Sequence, residues 1–246
     1  MSSIRKSKFA KWAFSVPVRV LLVSLLTLSV IHARSNPPLD QKKILASLEQ
    51  NFGERAAKRG KAWFKLMQES KPLPEEDKLY KVNRFFGAAN FRFVRDKSLW
   101  GQANYWASPV EFIGVNAGDC EDFAIAKYFT LRELGVSDEK LKITAVKSIT
   151  RNQYHMVLAY YETPLTDPLI LDNLPEGISS KGKIKRAKER PDLIPIYSFN
   201  ASDLWLNKEK GRGVLSGHSK RIKHWRELRQ RMANVQLNKP KSQMEF

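Results

Sequence analysis

The sequence predicts an α+β domain, with helices in its first half and an antiparallel sheet in its second. Up to Gly135 the apolar residues recur mainly at helical spacing, in stretches that carry helix start and stop signals. After Gly135 the pattern changes to alternation and to short apolar runs, which are typical of strands. The chain has 246 residues, of which 42% are hydrophobic, and is therefore long enough to bury a substantial core. Helices followed by strands in this way indicate one α+β domain.

The first two helices are bounded by capping residues and by prolines. Asp40 is an N-cap for a helix that runs to residue 52, and the apolar spacing continues as far as Met67. The segment Lys71-Pro72-Leu73-Pro74 breaks this pattern. Acidic residues at positions 75–77 then form the first turn of a second helix.

A third helix is predicted from about Cys120 to Gly135, and a last, amphipathic helix from residue 219 to 232. Around the third helix, only Lys127, Thr130 and Glu133 form a polar stripe. We therefore expect most of the surface of this helix to be buried.

Four segments after Gly135 are predicted strands. Residues 141–146 alternate between apolar and polar, and residues 155–161 and 169–172 are short apolar runs. A further strand at 193–197 contains Pro195, which suggests an edge position. The segment 181–190 is a basic loop.

The N-terminus has the features of an export signal. Basic residues precede an apolar run at positions 20–31, and Ala33 offers a small residue for cleavage. Because about 12 apolar residues are too few to span a bilayer, a cleaved signal at 1–33 is favoured over an uncleaved anchor. We expect an exported protein with a domain at 34–234 and a disordered tail at 235–246.

The net charge of +18 comes from 43 basic and 25 acidic residues, with a strong basic excess after residue 180. No nucleic-acid-binding module is present in the sequence, and an exported protein seldom meets nucleic acid, so we expect no nucleic-acid partner. Attraction to an anionic membrane, to the cell wall or to an acidic protein substrate remains open, as does a merely solvated basic surface.

One cysteine, Cys120, occurs in the whole chain, so it cannot form an internal disulfide. A thiol that attacks a carbonyl carbon needs a base and a group that orients the base. Of the four histidines, only His155 begins a predicted buried strand, and Asp172 ends the next one. If the loop between these strands is a hairpin that pairs 161 with 166, His155 lies opposite Asp172, with Cβ atoms about 4.5–5.5 Å apart. We therefore predict a catalytic triad of these three residues.

Three segments carry a resemblance to a known family. Gly118-Asp119-Cys120-Glu121-Asp122-Phe123-Ala124, Tyr154-His155-Met156-Val157-Leu158 and Leu171-Asp172-Asn173 resemble the bacterial transglutaminase-like cysteine proteinases of the LapG type. The resemblance covers about residues 75 to 200. It implies a papain-like or transglutaminase-like fold, in which the helix that carries the nucleophile packs on the antiparallel sheet.

The resemblance also implies a function and partners. Members of this family are periplasmic and calcium-dependent, and they cleave the N-terminal region of very large surface adhesins, which frees cells from a biofilm. An inner-membrane receptor that senses cyclic di-GMP on its cytoplasmic side holds them inactive. The basic C-terminal quarter has no counterpart in this resemblance.

Three carboxylates, on Asp119, Glu121 and Asp122, surround the thiol in the sequence. Without compensation, their charges raise the pKa of the cysteine and oppose catalysis. The residues alone favour helix capping by Asp119 and Glu121, whereas clustered oxygen ligands also suit Ca²⁺. The resemblance implies calcium at Asp119, Glu121 and Asp122.

Two features of the reaction stay open at this level. The oxyanion needs donors, for which the backbone N–H of Cys120 is one candidate and Gln102, Asn104 or Trp106 offers a second, although Trp106 also suits core packing. The same triad serves an endopeptidase and a transglutaminase or amidase. A calcium-responsive binding protein without catalysis is a third hypothesis.

Overall fold

Three helices open the described part of the chain. The computed structural model describes residues 39–180, 182–207 and 213–241, so the predicted signal at 1–33 lies outside these residues. Helix α1 (Gln41–Phe52) begins after Asp40, whose side chain accepts a hydrogen bond from the Lys43 N–H at 3.0 Å. Gly53, at φ +84°, ends α1 and precedes α2 (Glu54–Ser70), so the apolar spacing towards Met67 belongs to a second helix. Helix α3 (Glu75–Phe85) follows.

Short elements then lead to the central helix. They are β1 (Arg92–Phe93), α4 (Asp96–Leu99), α5 (Pro109–Val115), β2 (Ala117–Gly118) and α6 (Cys120–Glu133). Strands β1 and β2 are parallel, and Phe93 pairs with Gly118. This pairing brings the start of α4 close to the start of α6, although the two are more than 20 residues apart in the sequence.

A six-stranded sheet forms the second half of the fold. Its strands are β3 (Leu141–Ser148), β4 (Gln153–Tyr160), β5 (Leu169–Leu171), β6 (Leu193–Phe199), β7 (Asp203–Leu206) and β8 (Val214–His218), in the order β5-β4-β3-β6-β7-β8. All neighbouring strands are antiparallel. The predicted α+β fold, with the Cys120 helix packed on an antiparallel sheet, is confirmed.

The predicted edge position of residues 193–197 is wrong, because β6 pairs with β3 on one side and with β7 on the other. Pro195 is tolerated for two reasons. It lies opposite Val146 where the register with β3 shifts, and the ladder with β7 begins only at Tyr197. Pro195, which has no N–H to donate, therefore lies at an irregularity of the ladder with β3 and outside the ladder with β7.

Helix α6 is buried on nearly all sides, as expected, but two of the three residues of its polar stripe are buried too, and Glu133 is half-buried. Lys127 and Thr130 have no exposed surface. The Thr130 hydroxyl accepts a hydrogen bond from Trp63 Nε1 at 2.9 Å, and Lys127 Nζ lies 3.5 Å from the Leu171 carbonyl oxygen. Lys127 and Thr130 thus connect α6 to β5 and to α2 rather than to solvent.

The C-terminal segment closes the core. Helix α7 (Lys223–Ala233) begins four residues later than predicted, because residues 219–221 form a 3₁₀ turn, and its Trp225 packs against Phe129 and Phe199. Beyond it, Asn238 N donates to Glu111 Oε1 at 2.8 Å and Lys241 N to the Leu99 carbonyl at 2.8 Å. Contacts with the core thus continue past residue 234 as far as Lys241, and residues 242–246 of the predicted tail lie outside the described part. None of the described helices is long and apolar enough to cross a membrane.

Candidate active site

Cys120 is the first residue of α6, where the helix dipole favours negative charge. Its thiol is partly buried and donates a hydrogen bond to Glu121 Oε2 at 3.0 Å. Burial raises the pKa of the Cys120 thiol, and the charges of Glu121 and Asp119 raise it further, while the backbone N–H of Met156 lowers it. Because Met156 follows His155 directly, the thiol lies beside the start of β4.

His155 and Asp172 meet, as predicted. His155 Nε2 lies 2.8 Å from Asp172 Oδ1, and both side chains are almost completely buried. An ionised carboxylate can only accept, so Nε2 carries the hydrogen in this pair and Nδ1 is left as the basic nitrogen. Burial opposes ionisation of Asp172, but the hydrogen bonds from His155 and Arg190 hold the pKa of its carboxyl well below the usual range.

The predicted register of this hairpin is wrong by two residues. Leu158 pairs with Leu171 and Tyr160 with Leu169, and β5 ends at Leu171. Asp172 therefore lies just beyond the ladder and diagonal to His155 rather than opposite it. Diagonal neighbours are still within reach of long side chains, which explains why the hydrogen bond forms despite the shift.

Arg190, which was not singled out from the sequence, joins this pair through a hydrogen bond to Asp172. Its Nη1 donates to Asp172 Oδ2 at 2.8 Å, while Nε and Nη2 donate to Asp192 Oδ1 and Oδ2, both at 3.0 Å. In the sequence Arg190 is one of several basic residues in a predicted surface loop, so nothing there distinguished it from its neighbours.

Three carboxylates form a cluster next to the thiol. Oxygen atoms of Asp96, Asp119 and Glu121 all lie within 4.8 Å of one another. Asp119 Oδ1 and Asp96 Oδ1 are buried without a hydrogen-bond partner. Burial first, and then the charges of neighbouring carboxylates, raise the pKa of Asp119 to about 11. Burial also raises the pKa of Asp96 to about 7, although the Tyr105 N–H lowers it, and the charge of Glu121 adds to the rise. Buried acceptor oxygens that converge without donors fit a hard cation such as Ca²⁺.

Asp122 does not belong to this cluster. It is completely buried, Oδ1 accepts from Ala107 N at 2.7 Å, and Oδ2 accepts from Asp119 N at 3.2 Å. Both oxygens of Asp122 are therefore used inside the protein. Asp119 is the N-cap residue of α6, as predicted, and Asp122 forms the capping box with it, so the second capping acid is Asp122 rather than Glu121. Asp96 replaces Asp122 in the cluster, and no local sequence pattern distinguished Asp96.

The candidate oxyanion side chains lie together around one cavity, and Tyr105, between two of them, donates its backbone N–H to Asp96 Oδ2 at 2.6 Å. Gln102, Asn104 and Trp106 line one cavity of about 450 Å³, with residues of α7 on its other side. The Trp106 ring is buried and stacks on Phe199 at 5.5 Å between centroids. Its packing role is thus visible, and an oxyanion role stays a prediction.

A thiol at the start of a buried helix, on an antiparallel sheet that carries a buried His–Asp pair, defines the class of transglutaminase-like thiol enzymes. Residues 53–185 match the family model described as bacterial transglutaminase-like cysteine proteinase, BTLCP. The chain belongs to this family and is a cysteine peptidase.

Solved structures agree with this assignment. Legionella pneumophila LapG, treated with EGTA, is 43% identical and aligns over 80% of this chain and 100% of its own, with a TM-score of 0.67. Calcium-bound LapG from the same organism is 43% identical over 79% of this chain and 99% of its own, with a TM-score of 0.65. No curated protein matches the chain.

Proposed function

We propose that this chain is a periplasmic, calcium-dependent endopeptidase in which Cys120 is the nucleophile, His155 the base and Asp172 the group that orients the base. The observation that carries this proposal is the 2.8 Å contact between His155 Nε2 and Asp172 Oδ1. The Cys120 thiol lies next to this pair, because it contacts the backbone N–H of Met156, the residue that follows His155. The His155–Asp172 contact fixes the tautomer and leaves Nδ1 to take a proton.

The reaction follows from these positions. His155 Nδ1 takes the thiol proton, and the thiolate attacks the scissile carbonyl carbon while the Cys120 N–H donates to the developing oxyanion. Collapse of the tetrahedral intermediate breaks the C–N bond, and the imidazolium gives its proton to the leaving amine. Water, deprotonated by the same imidazole, then hydrolyses the thioester and releases the acid and the thiol.

The acidic cluster bears on the first of these steps. Glu121 accepts the thiol hydrogen in this structure, so the Cys120 thiol must turn from Glu121 towards His155 before it reacts. Asp96, Asp119 and Glu121 would hold the Ca²⁺ ion, whose charge would offset the carboxylates beside the thiolate. The Legionella relative solved in a calcium-bound form supports this assignment.

The substrate, compartment and regulator are proposed on the family resemblance and on the export signal at 1–33. The substrate is the N-terminal region of a large surface adhesin, whose release disperses a biofilm. The regulator is an inner-membrane cyclic di-GMP receptor that sequesters the protease. Cleavage of the predicted signal at 1–33 would release the mature chain into the periplasm, where the proposed substrate passes.

The test is cleavage of a recombinant N-terminal adhesin fragment from the same organism by the protein without residues 1–33. Cys120→Ala and His155→Ala should abolish cleavage, and His218→Ala, a change at an exposed histidine on β8, should leave it intact. A labelled primary amine in the same reaction distinguishes hydrolysis from acyl transfer. Cleavage by Cys120→Ala at a tenth of the wild-type rate, or amine incorporation in place of hydrolysis, contradicts the proposal.

A further inference from the structure

We propose that Arg190 is a positioning residue for the reaction: it holds the Asp172 carboxylate in place for His155 and is itself held by Asp192. The inference rests on the proposed function, because it assigns Arg190 a part in the His155–Asp172 unit. Arg190 lies beyond residue 185, where the match to the family model ends.

The contacts around Asp172 divide its two oxygens. Oδ1 faces His155 Nε2 at 2.8 Å and also accepts from Leu174 N at 3.1 Å, whereas Oδ2 accepts from Arg190 Nη1 at 2.8 Å. With a donor on each oxygen, rotation about the Cβ–Cγ bond breaks at least one hydrogen bond. Arg190 therefore fixes the carboxylate plane, and through that plane the imidazole ring.

Arg190 is itself immobilised. Two of its nitrogens make parallel bonds to the two oxygens of Asp192, a bidentate pair that a guanidinium forms and an ammonium cannot. The side chain of Arg190 is 3% exposed, so it does not reach out to bind a substrate. The chain of contacts thus runs Asp192–Arg190–Asp172–His155, with three of its four side chains nearly free of solvent.

The charges in this chain affect the base as well as its orientation. Asp172 is a buried anion 2.8 Å from the imidazole, and Arg190 compensates part of its charge. Loss of the guanidinium leaves more negative charge to stabilise the imidazolium. The limb of the pH–rate profile that reports the imidazole should then move to higher pH.

Gly177 gives an independent reason to regard the position of Asp172 as tightly fixed. A Cβ built on Gly177 would lie 2.6 Å from the Asp172 Cβ, so a side chain there cannot be accommodated without a shift. Asp172 is thus confined near its Cβ by Gly177 and at its carboxylate by Arg190.

The experiment compares Arg190→Gln, Arg190→Lys and Asp192→Asn with the wild type. For Arg190→Gln we expect kcat to fall on the order of 100-fold with KM nearly unchanged, as for a small misplacement of a catalytic group, together with the upward shift in pH. Arg190→Lys keeps the charge and should keep the pH position while it loses part of kcat. Asp192→Asn, which leaves Arg190 in place, should lower kcat by a smaller factor.

A second readout separates this inference from the proposed function. Cys120 is the sole cysteine, so the rate of alkylation by iodoacetamide as a function of pH reports the thiol and its base without any substrate. A wild type that cleaves no adhesin overturns the endopeptidase proposal, but the alkylation profiles still decide the role of Arg190.

If Arg190→Gln is too unstable to purify, Arg190→Lys and Asp192→Asn carry the test by the same profiles. Unchanged kcat and unchanged profiles in the folded variants, or equal losses in Arg190→Gln and Arg190→Lys without a pH shift, overturn the inference.

Discussion

At the scale of single residues, two buried aspartates near the thiol have opposite protonation behaviour because their partners differ. Asp172 accepts hydrogen bonds from His155, Arg190 and the Leu174 N–H, so its pKa lies well below the usual range in spite of burial. Asp119 has carboxylates for neighbours and one oxygen without a donor, and its pKa rises to about 11. Donors inside the protein therefore hold Asp172 as an anion, whereas Asp119 would be held as an anion by a bound cation.

Replacement of Asp172 by asparagine should therefore slow the reaction without abolishing it. The amide keeps the volume but removes the charge, and it presents either an acceptor or a donor to His155 Nε2. We expect kcat to fall by about 10²–10⁴, less than for Cys120→Ala, because only orientation and stabilisation of the imidazolium are lost. Steady-state kinetics on the adhesin fragment measures this ranking, and an Asp172→Asn variant as active as the wild type contradicts it.

Lys127 gives a prediction about pH. It is completely buried in α6, and burial lowers its pKa from 10.5 to about 7, although the charge of Asp172 opposes this. Between pH 7 and 10.5 the unfolded chain binds the lysine proton more strongly than the folded one, so this group makes the free energy of unfolding increase with pH. Below pH 7 both states are protonated and the pH dependence from Lys127 vanishes.

Urea unfolding of the wild type and of Lys127→Met at pH 7, 8 and 9 isolates this contribution, because all other titrating groups are common to both proteins. The stability of the wild type relative to the variant should rise by about 1 kcal/mol per pH unit. Lys71→Met, at an exposed position, is the control and should run parallel to the wild type. Parallel curves for Lys127→Met would mean that the buried ammonium does not titrate in this range.

The sequence allowed Cys120, His155 and Asp172 to be singled out because each is unusual for its place: a sole cysteine, a histidine in a buried strand, an aspartate at a strand end. Asp96 and Arg190 were not found because neither is unusual locally. Asp96 reaches the acidic cluster through the β1–β2 pairing, and Arg190 reaches Asp172 through the return of a basic loop. Such long-range placements leave no periodic signal in one sequence.

At the scale of elements, helices and strands with strong periodicity were predicted well, whereas their register was not. An eight-residue connection at 161–168 joins β4 to β5, and such a loop does not fix one pairing as a two-residue turn does. The true register differs by two residues, which preserves the alternation of faces and so leaves the apolar pattern equally satisfied. The apolar pattern is therefore compatible with both registers and does not distinguish between them.

The junction of β2 and α6 is the element on which the thiol depends, and Gly118 is its tightest point. A Cβ on Gly118 would lie 2.5 Å from Asp122 Oδ2 and 2.8 Å from the Phe112 ring. Gly118→Ala should therefore displace the capping carboxylate and the start of α6, and lower kcat at least tenfold along with the melting temperature.

Gly135→Ala is the matched control for this change. Gly135 follows α6 at φ +85°, and a Cβ there would meet nothing within 4 Å, so alanine costs about 1 kcal/mol of backbone strain but leaves the N-terminal end of the helix alone. The melting temperature should fall for both variants, and kcat only for Gly118→Ala. Full activity in a folded Gly118→Ala protein contradicts the proposed close packing.

At the scale of the whole molecule, the acidic cluster brings together two parts of the chain that are distant in the sequence. Asp96 begins α4, and Asp119 and Glu121 flank the first residue of α6. Three carboxylates in one place oppose folding while they are unpaired, and a cation that binds them stabilises the folded chain because the unfolded chain has no such site. The chain as a whole carries a net charge of +18, so this cluster is a local concentration of negative charge in a basic protein.

Calcium should accordingly raise the stability of the protein and be required for activity. The gain follows RT ln(1 + [L]/Kd), about 2.7 kcal/mol at a hundredfold excess over Kd. Calorimetry on metal-free protein should detect binding, the melting temperature should rise with Ca²⁺, and a calcium chelator should abolish cleavage reversibly. Asp96→Asn should weaken binding and activity together although no triad residue is changed, whereas Asp77→Asn, the same change at an exposed position in α3, should affect neither.

Because Asp122 already satisfies both oxygens within the protein, Asp122→Asn should lower the melting temperature with and without calcium alike, which separates a capping acid from a ligand. Absence of measurable Ca²⁺ binding, together with activity that survives the chelator, would show that Asp96, Asp119 and Glu121 share protons rather than a metal ion.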